Sequence, residues 1–213
     1  MTTPARFDDR FRARLRELLA WRRDVRRFQR APLPAGQVEH LIEIARLAPS
    51  VGLSEPWRFV VVDDPARRAA VRRNFERCNE AALAMQEPDR AAVYARLKLS
   101  GLAEAPCHLA VFADRLTAQG HGLGRLTMPE MVEYSVVAAV NILWLAARAE
   151  GIGMGWVSIL DPDQMAAILA VPPAWKFIGY FCLGYPEAED DTPDLERSGW
   201  ERRHPEQPIL IRR

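Results

Sequence analysis

Apolar positions recur at two periods along the chain, and the switches between those periods predict its elements. Phe11, Leu15, Leu18 and Leu19 fall at helical spacing and predict an amphipathic helix that stops near 21–24. Pro34 opens a second helix in which Val38, Leu41, Ile42 and Ala45 share a face. Ala48-Pro49-Ser50-Val51-Gly52 breaks it, because proline disfavours helical geometry in its predecessor and glycine tolerates unusual dihedrals. Short continuous apolar runs at 59–62, 108–112, 156–160 and 177–183 predict four buried strands. The polar-rich stretch 66–104 reads as helical and is divided by Pro88, while 114–128, with Gly120, Gly122 and Gly124, reads as a loop. A long helix over 129–151 starts at Pro129 and ends at Gly151, and a short one covers 161–170. The tail from Pro186 is acidic and then basic, has no core pattern, and is expected to wrap over another part of the molecule.

Four buried strands interleaved with helices indicate an α/β or α+β sandwich with helices on both faces. The strand separations exceed a minimal βαβ unit, which argues against a simple dinucleotide-fold order. The longest apolar stretch, 136–147, contains Asn141 and falls short of the roughly 20 residues needed to cross a bilayer, so it reads as a buried core helix.

The chain has 213 residues, enough for one large domain, with 29 basic against 28 acidic side chains. That balance gives no electrostatic case for nucleic acid. Lys98 and Lys176 are the only lysines, so nearly all positive charge is carried by planar, always-charged arginine. The first thirty residues alone hold ten arginines against four acids. Cys78, Cys107 and Cys182 are odd in number and far apart, which excludes a disulfide framework or a CxxC motif. Residues 1–16 are charged and lack a signal-peptide core, so a reducing cytoplasm is the expected location.

Several chemistries fail on motif grounds. Neither lysine follows a glycine, so there is no phosphate-binding GxxxxGK loop. Gly151-Ile152-Gly153-Met154-Gly155 follows a helix and precedes a strand, the reverse of a dinucleotide loop, and is expected to be a helix-to-strand connection. The histidines (His40, His108, His121, His204) show no metal-ligand spacing, and no GxSxG elbow is present.

What remains is Arg22-Arg23-Asp24-Val25-Arg26-Arg27-Phe28. Read blandly, it is a basic helix end whose arginines complement the helix dipole. Read functionally, Arg22 and Arg26 lie four apart and would share a helical face able to grip one phosphate. Asp24, held beside those cations, would accept a proton or a hydrogen bond.

Arg22-Arg23-x-x-Arg26-x-Phe28, Ala48-Pro49-Ser50, Pro56-Trp57-x-Phe59 and Gly151-x-Gly153-x-Gly155-Trp156, in that order, resemble the flavin-binding nitroreductase superfamily over about residues 20–204. Aspartate at position 24, where ordinary members carry serine, is similar to the branch that dismantles flavin. Glu55 before Pro56-Trp57 departs from the usual glutamine. The resemblance implies a single α+β domain: a mostly antiparallel central sheet flanked by helices, a helical lid at about 75–105, a C-terminal arm at about 186–213, and an entwined homodimer. It implies that reduced FMN is the substrate, fragmented with O2 to 5,6-dimethylbenzimidazole and erythrose 4-phosphate. It places Arg22, Arg23 and Arg26 on the phosphate and ribityl chain, Asp24 as acid/base, Ser158 near the reactive ring edge, and Val25 and Gly155 in the cofactor site. Arg90 and Leu99 would come from the lid, beside Met85 and Lys98, and Ser50 and Gly52 from the neighbouring subunit. NAD(P)H would act only through a separate flavin reductase supplying reduced FMN. The alternatives are an NAD(P)H-dependent nitro or enone reductase with resident FMN, and a non-catalytic flavin-binding dimer.

Overall fold

A computed structural model describes residues 6–97, 100–206 and 209–212; Lys98 and Leu99 lie outside the described residues. The helices are α1 (Asp9–Trp21), α2 (Gln37–Ala45), α3 (Pro65–Ala84), α4 (Pro88–Tyr94), α5 (Gly101–Glu104), α6 (Met131–Ala149), α7 (Pro162–Leu169) and α8 (Asp194–Arg197). The strands are β1 (Trp57–Val61), β2 (Cys107–Asp114), β3 (Gly153–Val157) and β4 (Trp175–Gly184). They form one sheet in the order β1-β2-β4-β3 with every pairing antiparallel.

β2 is buried along seven of its eight residues because both of its faces are covered, which is why it reads as a continuous apolar run. Leu109, Val111 and Ala113 face a core built with Leu41 and Ala45 of α2 and Val136, Leu143 and Trp144 of α6. Ala110 and Phe112 face the other side, against Val71 of α3 and Met165 and Leu169 of α7. The alternation of side chains across a strand thus sorts one sequence into two cores.

The structure refines three sequence expectations. The third strand begins at Gly153, so the glycine run expected as a connection is partly strand. The apolar run at 136–147 is the middle of a 19-residue helix, long and apolar enough by composition to cross a membrane. Eight of its residues, from Val132 to Ala147, are buried in the molecule, and it serves as the core helix. Finally, the first ten residues of the expected lid continue α3, which packs on α7.

Candidate functional site

The arginine-rich segment is extended, not helical. Asp8 caps the start of α1 by accepting the Phe11 N–H at 2.7 Å, and the helix ends when Arg22 turns to ψ 117°. Beyond it, Val25 N–H donates to the Met154 carbonyl at 3.0 Å and Gln29 N–H to the Tyr185 carbonyl at 2.8 Å. The segment therefore lies along β3 and the end of β4, with Phe28 buried beneath it. Arg22 and Arg26 do not share a helical face, and the expected two-armed grip across one helical turn does not form.

The glycines of β3 make this lamination possible. A Cβ at Gly155 would stand 2.1 Å from the Val25 carbonyl oxygen, and one at Gly153 would stand 2.9 Å from the Val25 side chain. Only glycine lets two backbones approach so closely.

The consequence is a fixed carboxylate. Asp24 Oδ1 accepts the Trp156 backbone N–H at 2.8 Å, while Oδ2 stands 3.6 Å from Arg26 Nε. Burial pushes the Asp24 carboxyl above its ordinary value, against the Trp156 N–H and the Arg26 and Arg22 charges that pull it down. The arginines are held in different ways. The Arg22 guanidinium lies over the Trp144 ring at 4.8 Å, and the same indole donates its N–H to the Arg23 carbonyl at 3.1 Å. Arg26 sits between Asp24 and Asp194, the latter at 3.7 Å. Burial and the like charges of Arg203 and Arg22 lower the Arg23 pKa, with Asp191 and Asp190 opposing them.

Arg23, Asp24, Val25 and Arg26 line a cleft of about 420 Å³, closed on its other side by the chain from Glu187 to Ser198. Arg23 Nε and Arg26 Nε are buried and have no hydrogen-bond partner among the described residues. Unpaired buried donors on fixed cations are what an anion such as a phosphate ester would satisfy, so these residues fit the phosphate end of a flavin nucleotide.

The other expected site residues lie elsewhere in this chain. Gly155 is under the segment as backbone spacing, and Ser158 is exposed just beyond the end of β3. Ser50 Oγ accepts the Glu55 N–H at 3.1 Å in the short 3-10 turn Val51–Leu53, and Gly52 takes φ 57° against the Gly120 and Leu123 carbonyls. Neither lines the cleft. Arg90 stacks on Trp200 of the tail at 5.1 Å. Leu99 lies outside the described residues. Asp190, Asp194, Arg197 and Trp144 were not singled out from the sequence. The charges of the first three are plain in the sequence, but nothing in a linear pattern says which cation an acidic tail will meet, or which guanidinium an indole will support.

Known proteins resemble this chain. The profile of the nitroreductase family matches residues 19–185. A 5,6-dimethylbenzimidazole synthase of Rhodospirillum rubrum is 54% identical over 212 residues, covering 100% of both chains. One from Rhodobacter capsulatus is 46% identical, covering 93% of this chain and 96% of its own. An iodotyrosine deiodinase crystal structure with FMN and 3-iodo-L-tyrosine superposes with a TM-score of 0.71 at 22% identity, covering 93% of this chain and 97% of that one.

Proposed function

The chain belongs to the nitroreductase family, and from that premise we infer that it catalyses the O2-dependent fragmentation of reduced FMN to 5,6-dimethylbenzimidazole and erythrose 4-phosphate. The benzimidazole is the lower ligand of vitamin B12. The observation that carries the reading is Asp24, a carboxylate pinned to β3 in a cleft where Arg23 and Arg26 have buried Nε donors without partners among the described residues. The full-length likeness to the Rhodospirillum rubrum enzyme supports it.

Reduced FMN, when bound, supplies the electrons for O2 and the carbon skeleton that is taken apart. The chain's own residues do the rest. Arg23 and Arg26 bind the phosphate with the Nε donors that lack partners among the described residues, while Arg22, braced on Trp144 outside the cleft lining, acts on Asp24 through its charge. Asp24 Oδ2, free of any backbone donor, takes a proton from a ribityl hydroxyl. Its upward-shifted pKa makes it a stronger base than an ordinary aspartate, and such catalysis contributes roughly 10²- to 10⁴-fold. Ser158, one residue beyond the end of the strand that holds Asp24, would hydrogen-bond near the ring.

A second copy of the chain would complete the site with Ser50 and Gly52. No residue of α1 is buried, and Phe11, Leu15 and Leu19 are exposed along it. On the outer face of α6, Tyr134 and Val137 are exposed as well. So large an unpartnered apolar surface suits a homodimer. A flavin reductase supplies reduced FMN, and the free cysteines suit the reducing cytoplasm.

The test is to mix the protein with chemically reduced FMN in air and look for dimethylbenzimidazole by mass. Binding of reduced FMN without that product overturns the reading, and leaves a flavin-binding dimer. Rapid reduction of bound FMN by NADH would instead favour a reductase.

A further inference from the structure

The wall of the cleft opposite Asp24 is a segment of alternating charge. Arg26 Nε stands 3.7 Å from Asp194 Oδ2, Arg197 donates to Asp194 Oδ1 at 3.2 Å, and Arg197 also stands 3.4 Å from Asp190. This stretch of the C-terminal arm is anchored at both ends. Before it, Glu189 is paired with Arg148 of α6 at 3.1 Å. After it, Trp200 is stacked on Arg90 at 5.1 Å and packed against Tyr94 at 6.0 Å, both on α4.

The contact between Asp194 and Arg26 is an ion pair without a hydrogen bond, since Arg26 Nε is buried and has no hydrogen-bond partner among the described residues. A phosphate oxygen would approach an arginine to about 2.7–2.9 Å with charge-assisted hydrogen bonds. It therefore wins against the carboxylate, and Asp194 regains Arg26 when phosphate leaves.

We propose that Asp194, backed by Arg197 and Asp190, is an internal competitor for the phosphate-binding arginine Arg26, and that it drives release of the phosphorylated product. The inference rests on the flavin-fragmentation reading. In that reaction the substrate and the sugar product both carry a phosphate, so a clamp that held phosphate too tightly would keep its product. A carboxylate one displacement away lowers the affinity for both and leaves an unphosphorylated flavin unaffected.

The experiment measures binding of FMN, riboflavin and erythrose 4-phosphate to the full chain and to Asp194→Asn, with flavin fluorescence and competition as readouts. The variant should bind FMN and erythrose 4-phosphate about three- to tenfold more tightly, with riboflavin unchanged. Erythrose 4-phosphate should also inhibit its turnover at correspondingly lower concentration, and Asp194→Glu should restore the wild-type values. Asp194→Ser, shorter and neutral, serves as a second variant if the asparagine does not fold. Equal or weaker FMN binding overturns the proposal, as does equal tightening of riboflavin, which would mean a generally looser cleft. Arg26→Ala separates the two layers of the argument. If it binds FMN as well as wild type, the phosphate clamp itself fails. If it weakens FMN while Asp194→Asn does not tighten it, only the competitor role is lost.

Discussion

Asp24 and Trp156 are 132 positions apart, and the carboxylate of one accepts the backbone N–H of the other at 2.8 Å. That bond leaves Oδ2 without a backbone donor among the described residues and ties the basic segment to β3. Asp24→Asn keeps an oxygen for the Trp156 N–H and removes the base. The variant is expected to bind FMN within about twofold of wild type and to lose product by roughly 10²-fold or more. Because burial raises the Asp24 pKa, the acid limb of the wild-type rate profile should lie above the ordinary aspartate value, with activity falling as the carboxylate protonates. Unchanged dimethylbenzimidazole yield in the variant would remove Asp24 from the mechanism.

Arg26→Ala removes a half-buried cation from the cleft, where the bound phosphate would make charge-assisted contacts. The cost is expected at about 1.5–3 kcal/mol, a ten- to hundredfold weaker reduced-FMN affinity with a smaller change in the rate of the bound complex. A change confined to kcat would contradict the assignment.

Trp144 reaches the site through Arg22 and Arg23. Trp144→Phe keeps an aromatic ring under the Arg22 guanidinium and deletes the donor to the Arg23 carbonyl. KM for reduced FMN should rise about three- to tenfold while kcat changes little. Equal losses in both would indicate that the tryptophan serves packing alone.

Gly155 is the point of closest approach between the segment and β3. In Gly155→Ala the new methyl meets the Val25 carbonyl, so the two backbones must separate and Asp24 loses its register with Trp156. A drop in melting temperature on the order of 5 °C is expected, together with a loss of activity larger than that of any equally destabilised core variant. Full activity in the alanine variant would show that the lamination is not needed.

His108 and Tyr180 form a buried pair, with Nδ1 and the phenol oxygen 2.8 Å apart. Burial, aided by the Arg68 charge, pushes His108 down to about 4 from 6.5. The unfolded chain thus binds a proton between those values that the folded chain does not. Stability is complete above about pH 6.5 and falls as pH drops toward 4, by on the order of 3 kcal/mol. Urea midpoints measured at pH 7 and pH 5 should differ for wild type and converge for His108→Gln. A wild-type midpoint flat over that range would exclude the effect.

Much of the fold is legible in linear order. The apolar runs around Phe59, Leu109 and Phe181 are strands because both faces of the sheet are covered, and Leu41, Ala45 and Leu143 fall on helix faces turned to the same core. The glycines of β3 were harder to read, since a residue without a side chain gives no burial signal. Their meaning depends on Val25, a partner that sequence spacing does not reveal.

By itself the sequence determined the composition of the site: a cluster of arginines with one aspartate among them, and the ordered motifs that mark the family. Local chemistry suffices for that, because residue identity fixes charge, hydrogen-bonding capacity and backbone freedom. Tertiary structure alone decided that the cluster is extended instead of helical, that Trp156 holds Asp24, and that Asp194 faces Arg26. Each of these rests on a contact across more than a hundred residues, set by how the strands and the C-terminal arm fold back, and charge attracts whatever the packing brings within reach.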